Sequence, residues 1–173
     1  VTYSFAYASN RNYSAVLAWG YKPAARKSEQ LAHKLGLPLL RLEDGFLRSV
    51  GLGHEDAPLS IVVDDLGIYY DASRPSRLEH LIGSELSEQE LQRARNLPAL
   101  WRQSRVSKYN HLREIAPDKL PPSYVLVVDQ TYGDASIESG LAAPESFEQM
   151  LQAALDENPD CTVLIKTHPD VFA

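Results

Sequence analysis

Tyr124-Val125-Leu126-Val127-Val128 and Thr162-Val163-Leu164-Ile165-Lys166 bracket a helix-length segment, and these three stretches decide the fold. Each outer run is continuous, apolar and rich in β-branched residues, the pattern of a strand buried on both faces of a parallel sheet. Between them Pro144 and Glu145 open a helix. Within it Phe147, Met150, Leu151, Ala154 and Leu155 recur at i, i+3, i+4, i+7 and i+8, a complete apolar face. Asn158-Pro159 stops it. Strand, helix and strand in this order make a right-handed crossover between parallel strands.

Toward the amino terminus the same architecture recurs without any repeat of sequence. Ser14-Ala15-Val16-Leu17-Ala18-Trp19 is a short apolar run closed by Gly20, and Pro23 sits where a first-turn proline opens a helix. That helix carries Ala24, Lys27, Leu31 and Leu35 near helical spacing and stops at Gly36, before a second strand over Pro38-Leu39-Leu40-Arg41-Leu42. The strand ends at Glu43-Asp44-Gly45. Leu59 to Asp64 and Ile68 to Asp71 are β-rich runs about Asp65-Leu66-Gly67, which predicts a hairpin. From Ser73 to Ile115 the chain is polar and helical, with Ser87 and Glu90 spaced as a capping box. Pro98 is expected to interrupt that helix and a second to run through Trp101 toward Lys108. Pro117, Pro121 and Pro122 then mark a connection, so the expected organisation is a first Rossmann-like half over 1–80, a helical connection over 81–122 and the start of a second half over 123–173.

Composition narrows the function. The 173 residues are 44% hydrophobic and 23% charged, an ordinary globular balance that argues against disorder. A net charge of −6 disfavours a polyanion, so no nucleic-acid partner is expected, although a local cleft could hold one phosphate. Cys161 is the only cysteine, which excludes an internal disulfide and a multi-cysteine zinc site. The histidines form no HxxxH pair, and Asp64, Asp65 and Asp71 read as turn residues, so no metal is expected. No GxGxxG, P-loop or GxSxG motif occurs. The chain starts without Met and stops just past His168-Pro169, which reads as a segment of something longer.

Open parallel sheets bind ligands outside the carboxyl ends of their strands. That edge carries the Asp129 to Ser136 loop after one strand and Thr167-His168-Pro169 after the other. Lys166 and His168 can each donate to a phosphate oxygen, and Pro169 opening a further helix would aim free N–H groups at the same anion. A solvated lysine and a strand-capping histidine would look the same. Asp129 and Asp134 suit either chemistry or an ordinary turn. Glu43 and Asp44 are a carboxylate pair suited to proton transfer, or a solvated strand end; Arg48 and Ser49 add a guanidinium and a hydroxyl to the same edge.

Six motifs stand together in order: Leu42-Glu43-Asp44-Gly45-Phe46-Leu47-Arg48-Ser49; Asp65-Leu66-Gly67-Ile68-Tyr69-Tyr70-Asp71; Arg74-Pro75-Ser76; Ser107-Lys108-Tyr109-Asn110; Gln130 with Asp134 and Ser136; and Lys166-Thr167-His168-Pro169. With them the chain resembles the capsule polysaccharide β-Kdo transferases of Gram-negative bacteria, in particular the amino-terminal module of two-module enzymes of the KpsC type. The resemblance spans Trp19 to Val171.

It implies an α/β fold of GT-B-like glycosyltransferase architecture with Rossmann-like halves, the second incomplete in this chain. The implied activity is retaining transfer of β-linked Kdo from CMP-Kdo to a phosphatidylglycerol-type lipid acceptor, with CMP-Kdo as substrate and no separate cofactor. The implied setting is the cytoplasmic face of the inner membrane, as a peripheral protein beside a capsule assembly or export complex. In the second module of such enzymes the position matching Asp129 is not acidic, whereas those matching Gln130, Asp134 and Ser136 are kept; Asp134 is therefore the expected nucleophile and Asp129 the alternative. Glu43 or Asp44 would be the base. Lys166, His168, Pro169, Gln130, Ser136, Arg48 and Ser49 would bind the donor, Arg48 through a substrate carboxylate. Rival readings are a non-catalytic module that holds a phosphorylated sugar or lipid for assembly, and a sialyltransferase-like enzyme using CMP-sialic acid.

Overall fold

In a computed structural model, which describes residues 12–53, 56–111 and 115–168, two small sheets are joined by a helical segment. The first begins with β1 (Val16–Trp19) and β2 (Leu39–Asp44), parallel strands with Val16 opposite Leu39 and Trp19 opposite Leu42. Between them α1 (Ala25–Leu35) stops where Gly36 turns left-handed at φ 64° and returns its N–H to the carbonyls of Ala32 and His33. Ala25 and Ala32 are buried on the helix and Ala18 on β1; small residues let the helix lie close to the strand. The buried Arg41 crosses this layer, donating from Nη1 to Gly20 O (2.9 Å) and from Nη2 to Glu29 Oε1 (2.7 Å), with its guanidinium 4.2 Å from the Tyr21 ring centroid. Each charge on this buried side chain therefore has a partner.

The expected hairpin does not form. β3 (Ile61–Asp64) pairs antiparallel with β2, Asp64 opposite Arg41 and Ile61 opposite Asp44, giving the order β1-β2-β3. Residues 68–71 turn instead of pairing, with Asp71 N–H bonded to Ile68 O (2.9 Å). The cause lies in the side chain of Asp64. Asp64, 1% exposed, accepts Leu66 N–H and Gly67 N–H on Oδ1 and Arg77 N–H on Oδ2, each at 2.8 Å. The carboxylate thus fixes the backbone that leaves β3 and draws Arg77 back to the strand end, so the chain curls there instead of returning as a strand. Gly67 is needed there because a Cβ would stand 2.6 Å from Pro75 O.

α2 (Arg77–Ile82) and α3 (Glu88–Ser104) both start with capping boxes, Ser76 with Glu79 and Ser87 with Glu90. The boundary expected after residue 80 therefore falls inside α2. Pro98 does not interrupt α3, and no separate helix runs toward Lys108; one helix continues to Arg105, whose φ of 50° ends it. Proline removes one intrahelical bond, to the carbonyl of Ala94, and α3 has no buried residue, so solvent can satisfy that carbonyl. No helix among the described residues is long and apolar enough to cross a membrane.

After a 3-10 turn at Pro117–Lys119, β4 (Tyr124–Val128) and β5 (Thr162–Lys166) form the parallel pair with all five positions in register. α5 (Pro144–Glu157) joins them, with the proline in its first turn. Within the long loop lies a further helical turn, α4 (Ala135–Ser139). The strands are not buried on both faces: Val127 is buried, but Tyr124, Leu126, Val128 and Ile165 are exposed. α5 covers one side of β4, and no described element covers the other. Ahead of β5, Cys161 N–H bonds Asn158 O (3.0 Å), and its sulfur lies 3.8 Å from Ser123 Oγ. A backbone hydrogen bond from Ala72 to Ser139 O (2.9 Å) ties the turn after β3 to α4.

Burial alone would push the Asp71 carboxyl up, but hydrogen bonds from the Ser73 hydroxyl, the Tyr21 phenol and Ser73 N–H, with the Arg74 charge, hold it down at about 2. A carboxyl depressed from an ordinary 3.8 stabilises the fold above that value and loses its contribution as pH falls through about 2. Denaturant melts between pH 5 and 2 should therefore show stability falling below about pH 4, and Asp71→Asn should flatten part of that fall. An unchanged slope in the variant would remove Asp71 from the acid response.

Candidate active site

The carboxyl ends of β4 and β5 meet where Asp129 N–H donates to Lys166 O at 2.9 Å. The Asp129 loop and the Lys166 to His168 segment therefore leave the same edge of one sheet. Gln130 Nε2 reaches Ser136 Oγ at 3.4 Å, so two of the expected donor-binding residues are brought together. Asp134 sits between them as the N-cap of α4, with Oδ1 accepting Ser136 N–H at 2.8 Å. One carboxylate oxygen thus fixes the local turn, and the residue as a whole is exposed. Asp129 turns back on its own loop, its Oδ1 accepting Gln130 N–H at 2.8 Å. Lys166 is exposed and His168 half-buried; Pro169 lies outside the described residues.

Across from this edge, β2 ends in Glu43 and Asp44. Glu43 Oε1 accepts Asp44 N–H (3.0 Å), and its Oε2 accepts from the Tyr70 hydroxyl (3.4 Å), which itself accepts Tyr21 N–H (3.3 Å). Tyr21, Tyr70, Tyr69 and Phe46 continue as a chain of rings, with centroids 6.0 Å apart for Tyr21 and Tyr70, 5.4 Å for Tyr70 and Tyr69, and 5.7 Å for Tyr69 and Phe46. Asp44 is held differently, its Oδ2 lying 2.9 Å from Arg48 Nε.

Tyr69 joins the two edges. Its phenol is pushed up by burial first and then by the negative charges of Glu43, Asp44 and Asp134, with Tyr109 adding in the same direction. The three carboxylates expected to do the chemistry come from two sheets more than eighty residues apart in sequence, and all lie within electrostatic reach of one hydroxyl. Tyr70 is also pushed up, by burial and then by Glu43, and remains a hydrogen-bond donor at neutral pH.

Arg48 and Ser49 occupy another role. Arg48 is 6% exposed: its Nε forms an ion pair with Asp44 Oδ2 at 2.9 Å without a hydrogen bond, Nη1 donates to Ser49 Oγ (2.7 Å) and Asp56 O (2.6 Å), and Nη2 donates to Gly53 O (3.3 Å). The Ser49 hydroxyl donates onward to Gly51 O at 2.7 Å. Both side chains shape the loop after β2. Ser107-Lys108-Tyr109-Asn110 docks on this loop, with Lys108 O accepting both Arg48 and Ser49 N–H (3.1 Å each) and Asn110 N–H reaching Val50 O (2.8 Å). The carboxylates of Asp64 and Asp71 accept backbone and side-chain donors, and Asp65 pairs with Arg77 (2.6 Å). Among the described residues no group of three acidic, histidine or cysteine side chains is placed to hold a metal.

Residue reasoning from sequence missed Tyr69, Tyr70 and Tyr109 as parts of the site. A signal was present in two of the six ordered motifs, but β-propensity assigned Ile68 to Asp71 to a strand, which hides what its side chains meet.

The chain belongs to the capsule polysaccharide biosynthesis protein family, which matches residues 14–121 and 95–173. It is 45% identical to the capsule polysaccharide modification protein LipA of Neisseria meningitidis serogroup A, over 96% of this chain and 25% of that protein. It is 43% identical to the lipopolysaccharide-processing protein LpsZ of Rhizobium meliloti, over 91% of this chain and 37% of that one. Among solved structures it superposes on the KpsC β-Kdo 2,4 transferase of Thermosulfurimonas dismutans with a TM-score of 0.86 and 49% identity, covering 91% of this chain and 50% of that chain. The KpsC β-Kdo 2,7 transferase of the same organism gives a TM-score of 0.63 and 30% identity over 91% of this chain and 47% of that one. The chain thus spans from a quarter to half the length of these relatives.

Gly20 sits at the back of the Glu43–Tyr70 pair, at φ +47°, where a Cβ would stand 2.6 Å from the Tyr70 hydroxyl and 2.8 Å from Glu43 Oε2. Gly20→Ala should cost about 1–2 kcal/mol from the left-handed backbone alone and displace both side-chain tips. Urea denaturation measures the first effect, and an unchanged midpoint would contradict it.

Proposed function

We propose that the protein carrying this chain is a retaining glycosyltransferase that moves β-linked Kdo from CMP-Kdo onto a lipid-linked acceptor in capsule synthesis. The observation that carries this reading is the hydrogen bond from Ala72 N–H to Ser139 O, which ties the turn beside Glu43 and Tyr70 to the helix that Asp134 caps, with Glu43, Asp44 and Asp134 all raising the Tyr69 phenol. The likeness to a β-Kdo 2,4 transferase at 49% identity supplies the sugar.

In the first step an Asp134 carboxylate oxygen attacks the anomeric carbon of Kdo. The bond from that carbon to the phosphate oxygen breaks, and CMP leaves with the bonding pair. Lys166 and His168 face the charge that grows on the phosphate; such preorganised donors are worth more as charge develops than in the ground state. Gln130 and Ser136 fix the loop that aims Asp134. In the second step the acceptor hydroxyl attacks the same carbon from the opposite face and the bond to Asp134 breaks. The hydroxyl proton passes to Glu43 or Asp44. Glu43 is the better placed of the two, because Tyr70 orients it while Asp44 is tied to the buried Arg48. Two inversions give retention. Arg48 and Ser49 serve the site through the loop they hold. Work at the cytoplasmic face of the inner membrane, beside a capsule assembly or export complex, follows from a lipid-linked acceptor and a cytoplasmic nucleotide sugar.

With CMP-Kdo and a Kdo-terminated glycolipid, the native full-length protein should transfer sugar, and Asp134→Ala should lower the rate by at least about a thousandfold. Intact-protein mass spectrometry should find one Kdo added on the peptide containing Asp134. Transfer at the parental rate in Asp134→Ala, with loss in Asp129→Ala, would move the nucleophile to Asp129.

A further inference from the structure

Kdo is an acid, and its carboxylate lies on the carbon next to the one that reacts. Brought among Glu43, Asp44 and Asp134, that carboxylate meets like charge and requires a facing cation. The arginines around the first sheet are already engaged: Arg41 with Glu29 and Gly20, Arg48 with Asp44 and its own loop, Arg74 with Asp71 at 3.1 Å and Arg77 with Asp65. Lys108 differs from them. It is exposed and makes no ion pair among the described residues, and its ammonium stands 5.4 Å from the centroid of the Tyr109 ring.

The position of Lys108 is built into the fold. Its carbonyl takes two N–H bonds from Arg48 and Ser49, and Tyr109 forms an isolated parallel bridge with Ser49, so the segment is docked on the loop that follows Glu43 and Asp44. Tyr109 is also close enough to Tyr69 to affect its phenol. Phe46, 54% exposed, extends the ring chain from Tyr69 to the surface. Aromatic faces offer a flat seat for the apolar side of a pyranose, and a cation held over a ring keeps its charge while its position is restricted.

We propose that Lys108, seated on Tyr109 against the loop that follows Glu43 and Asp44, receives the carboxylate of an acidic sugar substrate. This deepens the glycosyltransferase reading and rests on it for the identity of the sugar. Lys166, on the other sheet, is left for the phosphate. Both the donor sugar and the terminal sugar of the acceptor carry such a carboxylate, and the chemistry of recognition is shared.

Two measurements on the native full-length protein test it. In the first, Kdo and its methyl ester are titrated and followed by ligand-observed NMR. The wild type should bind the acid about tenfold more tightly than the ester, as one charge-assisted hydrogen bond warrants. Lys108→Gln should abolish that preference, Lys108→Arg should keep it, and Phe46→Ala should weaken acid and ester alike. In the second, steady-state transfer by Lys108→Gln should show a roughly tenfold rise in KM with a much smaller fall in kcat. A rise in KM for CMP-Kdo assigns the carboxylate to the donor, and a rise in KM for the glycolipid assigns it to the acceptor. Undiminished preference for the acid in Lys108→Gln, or equal binding of acid and ester by the wild type, overturns the proposal. If the preference follows Lys108 but no sugar is transferred under any condition, the transferase reading falls and the carboxylate site stands.

Discussion

The carboxylate of Asp64 is the constraint on which the site depends. It is almost wholly buried, and it survives there because three N–H groups satisfy it. Removing any of these donors would leave charge uncompensated in the interior. By gathering Leu66, Gly67 and Arg77, it folds residues 65–76 into a compact excursion at the end of β3. Asp71 closes the same excursion with Tyr21, Ser73 and Arg74. The excursion holds Tyr70 against Glu43, sets Tyr69 between Tyr70 and Phe46, and offers Ala72 N–H to α4. A hairpin at this place would have left the two sheets without that link.

The elements legible from sequence were those in which periodicity and end chemistry agree. β4, α5 and β5 combine β-branched runs, a five-residue apolar face and a proline start, and the capping box at Ser87 and Glu90 marks the first turn of α3. What misled was propensity read without partners. Ile68 to Asp71 is β-rich, but carboxylates on either side of it bind the backbone of Leu66, Gly67, Ser73 and Arg77 and curl the segment into a turn. Pro98 is tolerated because an exposed helix can leave one carbonyl to solvent. Continuous apolar strands suggest cover on both faces, a property of neighbouring elements rather than of the strand itself. In the site, the carboxyl-end rule located Asp134, Gln130, Ser136 and Lys166 on one edge. It could not show that Glu43 lies opposite or that Arg48 is engaged, since both depend on contacts across long sequence separation.

The tyrosines explain how several acids can share one crevice. Tyr69 and Tyr70 keep their protons because burial and neighbouring charge disfavour a phenolate. A neutral phenol is a donor, and donors placed beside carboxylates lessen the repulsion between them without introducing a cation that would hold them fast. The contrast with Asp44 is instructive. An arginine in its place anchors that acid to a loop, whereas a phenol orients Glu43 and leaves the carboxylate open to exchange partners.

The lone thiol of Cys161 has a practical consequence. It stands at the entry of β5, five residues before Lys166, and a strand rise of about 3.3 Å per residue puts it roughly 17 Å from the edge where ligands are expected. One partly accessible sulfur in the whole chain accepts a fluorophore or spin label at a single defined position. A reporter there is fixed to the second sheet yet stands clear of the carboxyl edge, so changes at that edge can be followed by spectroscopy without placing the label on it.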